Sequence, residues 1–283
     1  MYKTCKETLT DNECIIHCDF SENYLCKSNE EVQATHFGAS KQQFTLHTGV
    51  MYYKNEQTLQ EKSFCTISPN NNHGPTAIWA HLTPILEYIR ETLTNINTVH
   101  FFSDGPTTQY RQKGNFYMLS EMVKKLGFQK STWTFFESAH GKGAADGIGG
   151  AVKRTLDKKV TYGEDIVNAQ SAYDVLQNCQ SKIMYFYISD EDINTLEQNF
   201  DLTGVIPVPQ TMDIHQIITT DQEHVIKYRK IACFCRELLC ECFGLQEHNL
   251  RLKKQKRKHD EDKKEHHQEK MYSKTTEATI KRR

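Results

Sequence analysis

The stretch NTVHFFSDGP, residues 97–106, joins a short apolar run to an aspartate and then to a Gly-Pro break. Its β-branched and aromatic residues predict a strand that ends at Asp104, and Gly105-Pro106 predicts the turn that follows. Upstream, CIIHCDFSENY (residues 14–24) has the same form, with Asp19 after a β-prone run. Carboxylates are the ligands that hard divalent cations prefer, so the two strand ends are candidates for a cation site.

The sequence around this stretch predicts three strands before it and alternating helices and strands after it. Such an order indicates an α/β domain in which helices pack on a mixed sheet. Apolar residues at helical spacing predict the helices, and β-branched or aromatic runs predict the strands. The predicted strands of the core are 15–20, 43–54, 63–68, 97–104 and 131–138, and its predicted helices are 78–93, 116–126 and a segment that opens near residue 146. Beyond the core, the sequence predicts a helical stretch over 165–180, a strand over 182–189 and a helix that opens at Ser189, with Asp192 completing a near capping box.

A third acid, Asp146, lies in ESAHGKGAADGIGGAVKR, residues 137–154, where the helix after the fifth strand opens. Three carboxylates from distant parts of a chain can hold two metal ions about 4 Å apart, the arrangement that cuts and joins phosphodiesters. The alternative for each aspartate is a cap or turn residue, since Asp-Gly is a common turn signal. Glu137 is a rival third acid, but it lies on the strand and not on the helix.

Taken in order, these motifs resemble the DDE/D transposase and retroviral-integrase-like superfamily. More narrowly, they resemble transposon-derived animal proteins that share DFxENY, SDG…Q(Y/F) and SHGKGxxDGxGGxVKR, over residues 13–160 and more weakly to about 242. The resemblance implies a ribonuclease-H-like mixed five-stranded sheet flanked by helices. It also implies that Asp19, Asp104 and Asp146 are catalytic and bind two Mg²⁺ or Mn²⁺ ions. Asp146 stands where Glu is more common in the superfamily, and its arm is one methylene shorter.

Basic and polar residues follow the second acid and surround the third, where DNA phosphates are expected. For each of them, the alternative is a solvated surface residue. The predicted DNA contacts are Gln109, Arg111, Lys113, His140, Lys142, Lys153 and Arg154.

The chain divides by composition into three parts. Residues 13–165 form the predicted catalytic core, 166–245 a helical and strand extension, and 246–283 a basic tail that we expect to be disordered. Residues 251–283 hold 13 Lys/Arg and 6 Asp/Glu, whereas the rest of the chain holds 22 and 30. This asymmetry predicts nucleic-acid contact or nuclear import through the tail, while the body lacks an overall basic field.

The extension carries IACFCRELLCECF, in which cysteines are spaced C-x-C-x₄-C-x-C at Cys233, Cys235, Cys240 and Cys242. Four thiolates are suited to a tetrahedral structural Zn²⁺. The spacing is not the usual C-x₂-C pair, and the alternative is a buried apolar segment with free cysteines. His215 and His224 lie just upstream.

Membrane and secreted classes are not expected. The chain has no run of 18 apolar residues, and its N-terminus lacks the apolar region of a secretory signal. We therefore expect a nuclear protein, or a cytoplasmic one before import, that acts on DNA as a transposase-derived polynucleotidyl transferase or nuclease. Self-assembly is left open. Because no zinc-finger or helix-turn-helix segment precedes the first strand, a catalytically silent, truncated or co-opted DNA-binding protein is the alternative. A ribonuclease-H-like nuclease acting on RNA or hybrids is a third.

Overall fold

The computed structural model describes residues 2–29, 42–136 and 143–251. Residues Met1–Arg251 group as one compact unit, and most of the predicted basic tail lies outside the described residues. The helices are α1 (Tyr2–Thr8), α2 (Pro75–Thr92), α3 (Lys113–Lys125), α4 (Ala144–Thr161), α5 (Ala169–Gln177) and α6 (Asp190–Asn199). The strands are β1 (Glu13–Leu25), β2 (Gln43–Asn55), β3 (Thr58–Ser68), β4 (Thr98–Ser103), β5 (Lys130–Phe135), β6 (Met184–Tyr187), β7 (Gln216–Thr219), β8 (Val225–Arg229) and β9 (Gln246–Asn249).

All these strands join one mixed sheet in the order β6-β3-β2-β1-β4-β5-β7-β8-β9. Strands β1, β4 and β5 run parallel to one another, and β6 runs parallel to β3, while the remaining neighbours are antiparallel. A mixed α/β sheet with helices packed on it is therefore confirmed. The predicted count of five strands is wrong, because β6 extends one edge and β7, β8 and β9 extend the other.

Strand β1 separates two apolar cores because successive side chains point to opposite faces of a sheet. Cys14, Ile16 and Cys18 belong to the core that α2 and α3 cover. Ile15 belongs to the core that α4 and α5 cover. Asp19 lies four residues beyond Ile15, so this alternation places it on the α4 side as well.

The α2 side of the sheet is closed by stacked aromatic rings. Phe101 of β4 and Trp133 of β5 stack at 4.8 Å between ring centroids, and Trp79 of α2 meets both rings edge-on. Each of the three side chains is fully buried. Such aromatic groups each remove a large apolar area from water, so they fix the centre of the sheet on which the candidate site lies.

Helix α4 packs closely on β1 through a glycine. An ideal Cβ built on Gly149 would lie 2.6 Å from the Ser21 Oγ and 2.9 Å from the Ser21 Cβ. Real side chains do not approach so closely, so the helix reaches this distance from the strand only without a side chain at position 149. The close approach brings the N-terminal end of α4 toward Asp19.

We expect Gly149→Ala to destabilise the protein by about 1–3 kcal/mol, because the added methyl group overpacks the α4–β1 contact. Gly147→Ala is the matched control on the same helix: its Cβ meets nothing within 4 Å, and alanine is favoured over glycine in a helix by about 1 kcal/mol. Urea denaturation measures both.

The cause of the Gly149→Ala effect is tested by adding Ser21→Gly, which removes the atoms that the methyl group would meet. The double variant should recover part of the lost stability relative to the sum of the single variants. Additive losses would show that the α4–β1 contact is not the origin.

Candidate acidic site

Asp19 and Asp104 lie side by side at the end of two parallel strands. In every paired position of β1 and β4, from Glu13–Thr98 to His17–Phe102, the residue numbers differ by 85. Continuing this register by two residues places Asp19 opposite Asp104, on strands about 4.8 Å apart. Asp104 is the first residue beyond β4, where the backbone leaves the sheet.

Helix α4 brings Asp146 to the same place through a hydrogen bond from β2. Thr48 pairs with Asp19 across β1 and β2, and its Oγ1 donates to the Ala145 carbonyl at 3.0 Å. Thr48, which lies beside Asp19 in the sheet, is therefore tied to Ala145, which precedes Asp146 in the chain. Thr48 carries no signal in the sequence, because its role depends on a strand pairing that no local pattern reveals.

The charges of the three carboxylates interact. Burial, the Asp104 charge and the Asp146 charge together raise the pKa of Asp19 to about 7. Burial and the Asp146 charge also raise the pKa of Asp104, and the Arg111 guanidinium opposes this shift. Like charges raise a carboxyl pKa only when they are near, so the three aspartates share one electrostatic site.

His17 is a second residue that sequence analysis missed. It is buried on β1, two residues before Asp19 and on the same face. Burial and the Lys6 charge lower its pKa to about 4, while the Asp146 charge acts in the opposite direction. The neutral ring therefore adds no positive charge to the site at neutral pH.

Asp146 also caps its own helix. Its Oδ2 accepts a hydrogen bond of 2.9 Å from the Gly143 backbone N–H, in the first turn of α4. An acidic residue at this position is favoured by the helix dipole. Asp146 is therefore a helix cap, which was the alternative to a metal ligand. The hydrogen bond from Gly143 also holds its carboxylate at the end of α4 that faces β1.

The three predicted DNA contacts that follow Asp104 all have partners within the protein. Arg111 is buried, with its Nη1 donating to the Met212 carbonyl at 2.6 Å and its guanidinium over the Phe135 ring. Lys113 donates to the Val205 carbonyl at 2.9 Å, and Gln109 lies 3.4 Å from a ring nitrogen of His73. Arg111 therefore lies within the fold, packed against Gly105, the residue after Asp104.

Two predicted DNA contacts, Lys153 and Arg154, lie on α4 about two turns beyond Asp146. The Lys153 ammonium lies 3.7 Å from the Glu22 carboxylate. Arg154 is exposed, and its guanidinium extends back over Gly150 toward the start of the helix. The other two predicted contacts, His140 and Lys142, and the rival acid Glu137 lie outside the described residues.

The four cysteines of the extension come together. The Sγ atoms of Cys233, Cys235, Cys240 and Cys242 all lie within 4.8 Å of one another, so this cluster could hold a metal ion such as zinc. In the described part of the chain, no other group of three or more His, Cys, Asp or Glu side chains is as compact, so the aspartates are spread more widely. His215 and His224 are not members of the cluster.

The molecule is thus an α/β protein with an acidic centre on its sheet and a separate cysteine cluster. A family model described as a domain of unknown function (DUF8701) matches residues 1–232, and the chain belongs to this family. The search of curated proteins found no match, and neither did the search of solved structures. Within 2–29, 42–136 and 143–251, no helix has both the length and the apolar content to cross a bilayer.

Proposed function

We propose that this protein is a transposase-derived polynucleotidyl transferase or nuclease with a ribonuclease-H-like core, which cuts and joins DNA phosphodiesters. The observation that carries the proposal is the meeting of Asp19, Asp104 and Asp146 on one face of the sheet. They come from the first strand, the end of the fourth, and the helix after the fifth, in the order that the DDE/D superfamily resemblance implies.

The acidic centre suits divalent cations. The Asp104 Oδ1 is buried and has no hydrogen-bond partner among the described residues, and burial together with the neighbouring charges raises the pKa of Asp19 to about 7. A buried anionic oxygen without a partner is costly, and a cation would satisfy it. The two Mg²⁺ or Mn²⁺ ions of the proposed mechanism would be held by Asp19, Asp104 and Asp146.

Bound there, the ions would activate the attacking water or DNA 3′-hydroxyl and stabilise the leaving oxygen. The residues of the chain hold this site in shape. Thr48 sets the distance of α4 from β1, and the Gly143 N–H fixes one oxygen of Asp146. The Arg111 charge favours the ionised form of Asp104.

DNA is the proposed partner, and its contacts must come from local groups because the body outside the tail is acidic. Arg154 is exposed on the helix that carries Asp146 and is the best placed of the described basic residues. Lys153 would exchange its Glu22 partner for a phosphate. The basic tail would add non-specific affinity and a nuclear import signal.

The test is nicking of supercoiled DNA by the full chain with Mg²⁺, with Mn²⁺ and with neither ion. We expect nicked product only with a divalent ion, because ligand oxygens without metal cannot stabilise the leaving oxygen. Single-stranded RNA and an RNA–DNA hybrid are digested in parallel.

Cleavage confined to RNA or the hybrid would replace the DNA substrate with the ribonuclease alternative. DNA binding without cleavage of any of the three substrates would contradict the enzymatic proposal and favour the silent binding protein. A pre-cut end joined to a second DNA would separate strand transfer from simple hydrolysis.

A further inference from the structure

The four cysteines have the geometry of a tetrahedral metal site. The Sγ atoms of Cys233 and Cys235 lie 3.3 Å apart, those of Cys233 and Cys240 3.6 Å, and those of Cys235 and Cys242 3.9 Å. Four sulfurs around one zinc ion, each at about 2.3 Å from it, are about 3.8 Å from one another. Because Cys233 contacts two sulfurs and every distance exceeds a disulfide bond of about 2.05 Å, the cluster is a four-membered set and not two disulfide pairs.

Arg229 of β8 places a buried positive charge against this cluster. Its Nη2 donates to the Leu238 carbonyl at 2.8 Å, to the Cys240 carbonyl at 2.6 Å and to the Cys240 Sγ at 3.4 Å. The side chain is 1% exposed, and the ion pairs of the described residues do not include it. A buried cation needs a counter-charge, and four thiolates around Zn²⁺ carry a net charge of −2.

Gln216 of β7 holds the other half of the cysteine loop. Its Oε1 accepts from the Cys233 backbone N–H at 3.1 Å, and its Nε2 donates to the Cys233 carbonyl at 3.0 Å. The same Oε1 accepts from Arg229 at 3.0 Å. The paired strands β7 and β8 therefore fix the backbone of both cysteine pairs, which orients the first ligands of the site.

The cysteine loop also contacts the strand that ends at Asp104. The Phe234 ring, between Cys233 and Cys235, stacks on Phe102 of β4 at 6.0 Å with the planes 12° apart. Phe102 lies two residues before Asp104, in the core on the α4 side of the sheet. A rigid loop would therefore support the end of β4 from the side that faces the aspartates.

We propose that Cys233, Cys235, Cys240 and Cys242 bind one structural Zn²⁺ as thiolates, and that the zinc-closed loop braces β4 through Phe234. Binding releases the thiol protons and needs no oxidant. The site is independent of the acidic centre in its ligands, so it stands whether or not the protein cuts DNA.

Metal analysis of the full chain, purified without added metal, should find one zinc ion per chain. Cobalt substitution should give the sulfur-to-metal charge-transfer bands and visible bands of a tetrahedral thiolate site. Cys242→Ser, at an exposed position, should lower zinc affinity at least about 10-fold. Cys179→Ser, outside the cluster, is the matched control and should keep the full zinc content.

The brace is tested with Phe234→Ala, which keeps all four ligands. We expect full zinc content but faster hydrogen exchange of the β4 amides than in the parent protein. Absence of zinc and of the cobalt spectrum, with the exposed Cys235 and Cys242 freely modified by a thiol reagent in the native protein, would overturn the metal site. Unchanged exchange in β4 would overturn the brace. If Cys242→Ser does not fold, the cobalt spectrum of the parent protein still decides the first point.

Discussion

Asp19→Asn should abolish divalent-dependent DNA nicking, with a loss of at least about 100-fold, as is usual when one group that stabilises developing charge is removed. The charges of Asp104 and Asp146 both act on Asp19. In the proposed function, Asp19 and Asp104 would share the two ions. The amide is nearly the same size as the carboxylate, so the change removes charge with little effect on packing. Initial nicking rates over a range of Mn²⁺ concentrations measure the loss.

The matched control for charge removal is Asp157→Asn. Asp157 lies on α4, as Asp146 does, but its carboxylate bonds to Tyr24 and Lys27, outside the acidic site. This variant should nick DNA at the parent rate. If Asp19→Asn retains the parent rate, the three aspartates are not the catalytic ligands. An equal loss in Asp157→Asn would show that the assay reports folding instead of chemistry.

The central part of the fold was predictable because its elements carry local signals. The first five strands are rich in β-branched and aromatic residues, and α2 has a complete apolar stripe from Ile78 to Ile89. The capping box of α6, Ser189 with Asp192, is also read directly from the sequence and is present in the structure. These features depend on neighbours in the chain, which is why sequence patterns find them.

The edge strands were not predictable in the same way. Strands β7 and β9 have four residues each, and β9, with the sequence QEHN, has no apolar alternation at all. It is a strand because β8 offers its backbone groups for pairing. Such pairing is a property of the assembled sheet, and a sequence pattern of period two does not report it.

In the candidate site, too, local sequence identifies single residues but does not give their arrangement. Asp19 and Asp104 were identified from their positions after β-prone runs, but their meeting depends on the β1–β4 register, which only the pairing sets. Arg111 was taken as a surface contact because it is charged and follows a Gly-Pro turn. Its burial follows from contacts with Met212, 101 residues away in the sequence, and with Phe135 on another strand.

The second large effect is on stability: Asp19→Asn should stabilise the protein although it abolishes nicking. In buffer without Mg²⁺ or Mn²⁺, Asp19→Asn should be more stable than the parent protein at about pH 8. The pKa of Asp19 is about 7 in the folded protein, against an ordinary value of 3.8. At about 1.4 kcal/mol for each pKa unit, discounted for partial exposure, ionising this group costs the fold about 2–4 kcal/mol.

The sign of the pH dependence follows from proton binding. Between the two pKa values the folded state holds more protons at Asp19 than the unfolded state does, so the free energy of unfolding falls as pH rises through this range. The advantage of Asp19→Asn should therefore shrink by more than half between about pH 8 and pH 5. Urea denaturation of both proteins at several pH values measures it. Both proteins carry the same cysteines, so effects of acid on the cysteine cluster cancel in the difference.

Asp157→Asn provides the opposite pH dependence. Burial raises the pKa of Asp157, but the hydrogen bonds from Lys27 and Tyr24 and the charges of Lys27 and Lys153 together outweigh it, so the pKa is lowered. This carboxylate contributes stability above its unfolded pKa and loses it as pH falls through the folded pKa, so its removal should destabilise the protein at neutral pH. Parallel curves for the two variants would contradict the electrostatic origin of the Asp19 effect.

Divalent ions complete the test, because they act on the same repulsion. Mg²⁺ should stabilise the parent protein at about pH 8 by binding the folded state alone, and this gain should decrease below about pH 7, where protons compete for Asp19. It should be largely absent from Asp19→Asn, since the shared ligand is gone. A Mg²⁺ gain of equal size in both proteins would mean that the ions bind elsewhere, for example at the acidic surface. Stabilisation by removing a charge and by adding an opposite one, at the same residue, is the behaviour expected of a cation site and not of a helix cap or a turn.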